Sequence, residues 1–468
     1  MTRPSQNRIG LIFLLLAAGA ASISMLQSLL SPVLSTLQTE FATTQNAISW
    51  VLIAFLLAGA VCTPILGRIG DMIGKVRTLL IALGAMILGN VISGFAPNIE
   101  VMVLGRAVQG IGMAAFPLSF GIIRDEFPRD RMASAVGAMS SVIAVGGGLG
   151  AILAGPIVSI LGWQWLFWLP TVALVLVAVL VRNYIPESPI RSGGRINWIA
   201  ATLLGGWLIA LLLPLSQGTQ WGWTSPLVIG LLVVAMVRAV AWTVVETRSD
   251  NPLIDMKVMR LPAVWTTNLV ALLFGAAMFS VWAFVPQLIQ VPASTGYGFG
   301  ASVTQAGWII LPMLVTMALA GTVVGRLERR FNFKSQLSAG AALVGLACAG
   351  FAFLHGQIWQ LTLFSALFGL GLGLAYSTMT NIIVQSVPAT QTGTATGMNA
   401  NIRTIGGALG TTIMTAIVTA HRQPDGLPLE EGFVTGFATF AVVALLAFLV
   451  TRLLPSHKTP EMAVTAKA

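Results

Sequence analysis

An arginine inside an apolar run is costly to keep, and this sequence holds one at Arg106. Its surroundings, Leu104-Gly105-Arg106-Ala107-Val108-Gln109-Gly110-Ile111-Gly112, offer one other polar side chain, Gln109. Arg106 and Gln109 are three residues apart, so on a helix they share a face. A guanidinium keeps its charge and cannot itself carry a proton. It can position a ligand or a titrating neighbour, or it can bond backbone carbonyls of the first helix. Either way it faces the interior of a helix bundle or water.

A second cluster is Gly67-Arg68-Ile69-Gly70-Asp71-Met72-Ile73-Gly74-Lys75-Val76-Arg77. It reads as a short polar connector between two long apolar runs. Gly67, Gly70 and Gly74 allow tight turns and close backbone approach. The Asp71 carboxylate can pair with cations or with the positive end of a helix. Arg68, Lys75 and Arg77 supply three cations in nearly uncharged surroundings.

A third cluster, Asn399, Asn401 and Arg403, precedes Gly406 and Gly410. Arg403 either faces an anionic group on a ligand or ties neighbouring helices together. Gly146 and Gly150, then Ala154-Gly155-Pro156, place small residues where helices can approach closely.

Covalent chemistry finds no support. Gly70 to Lys75 is not a phosphate loop, because Val76 stands where Ser or Thr is needed. No His-Glu-x-x-His or Gly-x-Ser-x-Gly occurs. Cys62 and Cys348 each sit in apolar sequence, so neither a metal site nor a disulfide framework is indicated. His355, His421 and His457 fall in loops or the tail and read as solvated. No enzyme activity and no cofactor are expected, which leaves ion gradients as the source of energy.

The elements that position these residues follow from composition. Of 468 residues 56% are hydrophobic and 9% charged, with mean hydropathy +0.87, whereas soluble domains carry about 25% charged residues. A bilayer span needs about 20 mostly apolar residues. Spans are expected near 9–34, 46–66, 78–96, 99–123, 132–158, 163–182, 196–216, 225–245, 264–290, 302–323, 335–354, 358–386, 392–419 and 431–454. Arg3 and Arg8 before the first run resemble a secretion signal, but the apolar pattern continues long enough to span and is retained as a helix. Of the 25 basic residues, Arg106, Arg238 and Arg403 fall within spans and Arg422 in a loop on one side. All others fall on the opposite side with both termini, which the positive-inside rule assigns to the cytoplasm. The formal net charge of +10 therefore reports cytoplasmic loops rather than nucleic acid. None of the fifteen acids lies at the middle of a span.

The chain also repeats. Gly67-Arg68-Ile69 recurs as Gly325-Arg326-Leu327, and Gly146-Gly147-Gly148-Leu149-Gly150 as Gly406-Gly407-Ala408-Leu409-Gly410, at almost the same spacing. Two related halves result, 1–190 and 261–455, with an unmatched pair of spans and their linkers at 191–260 and a tail at 456–468.

The pattern Gly-Arg-x-Gly-Asp-x-x-Gly-Lys-x-Arg at 67–77 closely resembles the loop between helices 2 and 3 of the major facilitator superfamily, a gating element at its cytoplasmic face. The run around Arg106 resembles that superfamily's helix-4 motif, whose arginine is linked to proton coupling. The segment 146–156 resembles the helix-5 motif of the drug:proton antiporter branch, with Ala151 replacing its first proline, Ala154 replacing a glycine and Pro156 placed later. Trp163-Gln164-Trp165-Leu166-Phe167 follows at the spacing usual in the fourteen-helix group, and Gln27 stands where that group often carries an aspartate.

The resemblance implies an all-α membrane fold of two six-helix halves plus two linking helices, rocking around a midplane site. It implies a cavity lined by helices 1, 4, 7 and 10. The expected liners are Ser24, Gln27, Ser28, Asn268, Trp282, Gln287, Tyr376, Thr380, Asn381 and Arg403, with Arg106 and Gln109 in coupling. The expected activity is export of small amphiphilic molecules against protons by a monomer in the cell membrane, among membrane lipids. Uptake on the same fold, or a lipid-handling or structural role, are the alternatives.

Overall fold

The computed structural model describes residues 6–188, 190–193, 195–328, 330–421 and 427–455. It contains fourteen helices long and apolar enough to cross a membrane. They are α1 (Gln6–Leu29), α2 (Gln45–Ile73), α3 (Lys75–Gly94), α4 (Ile99–Glu126), α5 (Arg129–Leu161), α6 (Trp165–Tyr184) and α7 (Trp198–Trp221). The rest are α8 (Pro226–Arg248), α9 (Pro262–Gln290), α10 (Val303–Leu327), α11 (Phe333–Phe353), α12 (Ile358–Ser386), α13 (Thr392–Ala420) and α14 (Glu430–Thr451). Chain polarity alternates, so the connectors rich in Lys and Arg gather at one end of the bundle, called the basic end below.

Local sequence sets the helix ends. Side chains of Thr44, Asn98, Asn197, Ser225 and Ser302 accept hydrogen bonds from N–H groups of the first turns of α2, α4, α7, α8 and α10. Among the boundaries that differ from the sequence reading, two have a plain local cause. α1 stops at Leu29 because Pro32 cannot continue it, and Leu34–Glu40 forms a separate short helix. α2 runs on to Ile73, so the apparent loop from Gly67 is helical and the connector reduces to Gly74. Gly74 has φ 126°, a conformation that favours glycine. Gly67 and Gly70 instead let other elements close in, as described below.

The same glycine packing recurs in each half. A Cβ on Gly146 or Gly150 of α5 would lie 2.7 and 2.3 Å from the carbonyl oxygens of Ala21 and Met25 on α1. Gly406 and Gly410 of α13 meet α9 in the same way, against the carbonyls of Leu272 and Ala276. The expected packing role fails for Gly155 and Pro156. Both are exposed, and nothing lies within 4 Å of a Cβ built on Gly155.

One apolar core is drawn entirely from α9–α14 and their connectors, while two others are drawn almost entirely from α1–α6. The halves meet along α2 with α13 and along α5 with α10 and α12. The extra pair is not peripheral in equal measure. α7 packs on both α2 and α13, with Ala200, Leu204 and Leu208 buried beside Ala60, Met398 and Ile405. Only α8 is left mainly exposed, presenting Ile229, Val233, Val237 and Val240 outward.

Candidate functional site

At the basic end, α2 delivers Asp71 to the other half of the protein. Its carboxylate is fully buried and accepts from the backbone N–H of Gly393 (3.3 Å) and Thr394 (3.1 Å) and from the Thr394 hydroxyl (3.0 Å). It therefore caps the N-terminus of α13, where unpaired N–H groups and the helix dipole favour an anion. Backbone contact surrounds this cap: a Cβ on Gly67 would sit 2.7 Å from the carbonyl oxygen of Gly393. Gly70 admits Leu118 of α4, whose Cδ2 lies 2.3 Å from such a Cβ.

Lys75 is fully buried and pairs with Asp125 of α4 at 2.6 Å, with the carbonyl of Ala389 in the other half 3.5 Å away. Arg124 donates to Thr392 Oγ1 at 2.7 Å, again between halves. Asn381 Nδ2 of α12 donates to the carbonyl of Ala133 on α5 (3.3 Å), and Ser377 to that of Gly137 (3.4 Å). Asn401 Nδ2 reaches the carbonyl of Ala60 on α2 (2.5 Å), nearer mid-depth. Arg77 is exposed, and its 4.0 Å pairing with Glu187 adds little. Arg68 Nη1 donates to Ser192 at 3.2 Å. The bundle is thus closed at its basic end.

The segment after α6 threads back over this cluster, which the sequence reading missed. The Glu187 carboxylate accepts from Val76 N (3.0 Å) and Arg77 N (2.9 Å), capping α3 against Gly74. Ser188 Oγ donates to Asp125 at 2.5 Å, and Ser192 N to the Asp71 carbonyl at 2.6 Å. The sequence signals were a carboxylate in Ile185-Pro186-Glu187-Ser188-Pro189 and the Arg-Asp-Glu run at 124–126.

Arg106 is fully buried, but against α2 rather than α1. Its Nε donates to the carbonyl of Val51 at 2.9 Å, its Nη1 donates to Gln109 Oε1, and its Cζ lies 4.2 Å from the centre of the Phe55 ring. Gln109 Nε2 donates onward to Ser93 of α3 at 3.0 Å. Arg106 and Gln109 thus bind α2, α3 and α4 into one unit.

The expected cavity liners divide. Ser24 is buried and donates to the carbonyl of Ile143, and Ser28 lies beside it against Gly147, so both serve the α1–α5 contact rather than a cavity. Asn381 is likewise spent on Ala133, and Thr380 is buried, bonding the carbonyl of Tyr376 at 3.0 Å. Gln27 is partly exposed and Gln287 exposed. In the C-terminal half Asn399 donates to Asn268 at 2.9 Å, joining α13 to α9. Arg403 Nη2 donates to the Tyr376 hydroxyl at 2.9 Å, and its guanidinium lies 4.1 Å over that ring. Trp282, partly exposed on α9, packs against Phe279 with ring centres 5.9 Å apart.

Comparison with known proteins places this architecture. The chain is 27% identical to Multidrug resistance protein 3 of Bacillus subtilis (strain 168) over 376 residues, 79% of this chain and 72% of that one. It is 27% identical to a uridine/deoxyuridine transporter of Lactococcus lactis subsp. cremoris (strain MG1363), covering 97% of both. Its fold matches the crystal structure of the human organic anion transporter MFSD10 with TM-score 0.70 and 16% identity, over 96% of this chain and 100% of that one. The Major Facilitator Superfamily model matches residues 16–411 and 267–467. Together with its fourteen helices and resemblance to the drug:proton antiporters, that match shows that the chain belongs to the major facilitator superfamily of membrane transporters and is not an enzyme.

Proposed function

We propose that this chain is a secondary active exporter of the cytoplasmic membrane, moving small amphiphilic molecules outward in exchange for protons. The observation that carries the reading is the Asp71 carboxylate seated on the N-terminus of α13. A contact that joins the halves at one end must break when that end opens, so it weights the two states differently. On this reading the basic end is cytoplasmic, as the positive-inside rule requires, and so are both termini. The arrangement is then the outward-facing state of alternating access. The functional unit is one chain.

No acid lies at mid-span, so the group that exchanges the proton is Asp71 or Asp125 at the cytoplasmic mouth, or the substrate itself. Neutralising Asp71 would weaken its bonds to α13 and release the cytoplasmic closure. The Bacillus subtilis relative named for multidrug resistance supports export. A second reading, uptake on the same fold, is favoured by the uridine/deoxyuridine transporter, which aligns along nearly its whole length.

The test uses inverted membrane vesicles with an acidified lumen and a panel of anionic, neutral and cationic amphiphilic fluorophores. Export appears as luminal accumulation of at least one compound, abolished by a protonophore. Accumulation only in right-side-out vesicles identifies uptake instead. No movement of any compound, with insertion verified, points to lipid handling.

A further inference from the structure

We infer that Arg403 and Tyr376 form an anion-recognition subsite, and that the transported substrate is an amphiphilic molecule bearing an acidic group. The inference rests on the reading of the chain as a small-molecule transporter and names the substrate class for it.

Arg403 stands at the middle of α13 and remains partly exposed. Its direction is fixed by what covers the other faces of that helix. α2 is met through Asn401, α7 through Thr412, which donates to the carbonyl of Leu215 at 2.8 Å, and α14 through Met414 against Gly436. α9 meets the backbone of Arg403 itself at Gly275. α4 is met at the basic end, where Arg124 donates to Thr392. At its own depth the Arg403 guanidinium crosses to α12, so its exposed part opens on the space within the bundle rather than on lipid.

A guanidinium offers five N–H donors, and Tyr376 takes one. Among the described residues no carboxylate lies within 4.0 Å of it. The described ion pairs are Lys75–Asp125, Arg77–Glu187 and His355–Glu430. Nor can a small shift of a helix supply one. The acids within helices lie toward their ends, as Asp71, Asp125 and Glu246 do at the basic end and Glu100 and Glu430 at the other. Arg106 also lacks a carboxylate, but it is fully buried against Val51, Gln109 and Phe55, whereas Arg403 stays partly exposed. An unpaired cation at this depth is costly, and a ligand anion relieves that cost while gaining charge-assisted, two-pronged hydrogen bonds.

Apolar walls flank the same point. Phe279 packs against Gly407, one turn along α13, and its partner Trp282 keeps a buried Nε1–H without an acceptor. A cation over the Tyr376 ring, with a tilted aromatic pair one turn away, suits an anion carried on an aromatic body.

The experiment measures equilibrium binding to the full-length protein in detergent. The probes are 2-naphthoate, its neutral amide 2-naphthamide and the cation 2-naphthylmethylammonium. Wild type is expected to bind 2-naphthoate about tenfold or more tightly than either analogue. Arg403→Gln should abolish that preference, and Arg403→Lys should restore part of it. Equal wild-type affinity for the acid and the amide overturns the subsite without any variant. So does an unchanged preference in Arg403→Gln that elutes as a monodisperse protein. Because no gradient is applied, failure of proton-driven export with the preference intact overturns the exporter reading alone. Export of the fluorophore panel without the preference overturns the subsite alone.

Discussion

The Asp71 carboxylate lies 3.1 Å from the backbone N–H of Thr394, although the two residues belong to different halves of the bundle. One half thereby completes the first turn of a helix in the other. The cap is conditional, since it exists only while the halves touch at that end.

Asp71→Asn keeps the size of the side chain and removes its charge. Losing a charged helix cap costs about 1 kcal/mol or somewhat more, so the ratio of closed to open protein should fall about fivefold or more. In a Cys62→Ala, Cys348→Ala background, a cysteine at Gln27 should then react faster with an impermeant thiol reagent applied from the basic face. Transport should fall in parallel. Unchanged labelling and transport with normal expression would remove Asp71 from gating.

Gly67→Ala tests the same closure by shape. Its methyl group would meet the Gly393 carbonyl at 2.7 Å, and that neighbour is backbone of the opposite half. The substitution should lower transport about tenfold or more, because a Cβ overlap of this kind typically costs 1–3 kcal/mol. Gly10→Ala, with nothing within 4 Å, should transport like wild type.

Lys75 and Asp125 have side-chain exposures of 0% and 1%. Removing one partner of such a pair strands a buried charge, at a cost of about 3–5 kcal/mol. Lys75→Met should therefore lower the detergent Tm more than the double variant Lys75→Met/Asp125→Asn. A double variant no more stable than the single one would show that the pair is not coupled in this way.

Arg106→Ala should abolish transport and also lower Tm, because Val51 and Phe55 on α2 and Gln109 all lose a partner. Arg106→Lys should rescue neither fully, since an ammonium cannot serve Val51 and Gln109 in one plane. Full gradient-driven activity in Arg106→Ala would dismiss the cluster from the mechanism.

Sidedness is read with single cysteines. Thr224 and Ser294, both exposed in loops away from the basic end, should label from outside intact cells, and Gly193 should not. Gln217 is unsuitable as an outside reporter because it is fully buried beside Asn46 and Ser49. Labelling of Gly193→Cys in intact cells would invert the topology.

The spans were legible because each is a long apolar run, and fourteen were expected where fourteen are found. Asp71, Lys75 and Arg106 stood out for a related reason: charge is rare enough in such a chain that each instance draws notice. The partners of those residues were not legible. Asp71 bonds backbone of Gly393 and Thr394, and a backbone N–H carries no sequence signature. Ser24 and Asn381 looked like cavity liners because both are polar and on the expected helices. Which way they point depends on a helix rotation that only the packing of Ala21 on Gly146 and Ala133 near Asn381 fixes. Gly67 and Gly70 looked like turn residues, yet their lack of a Cβ serves contact between helices rather than a bend.

α7 is held between α2 and α13, bonded to the first through Gln217 and to the second through Leu215. This has a consequence for how the protein is made. During synthesis α7 enters the membrane with one of its two walls in place, since α13 is still untranslated. At about 5–20 residues per second the second wall arrives on the order of tens of seconds later. For that interval the face carrying Ala201, Leu204 and Leu208 has α2 and the newly made α8 to pack against but lacks α13. The seam closes only when α13 inserts, so a chain cut short before α13 leaves this face of α7 half covered.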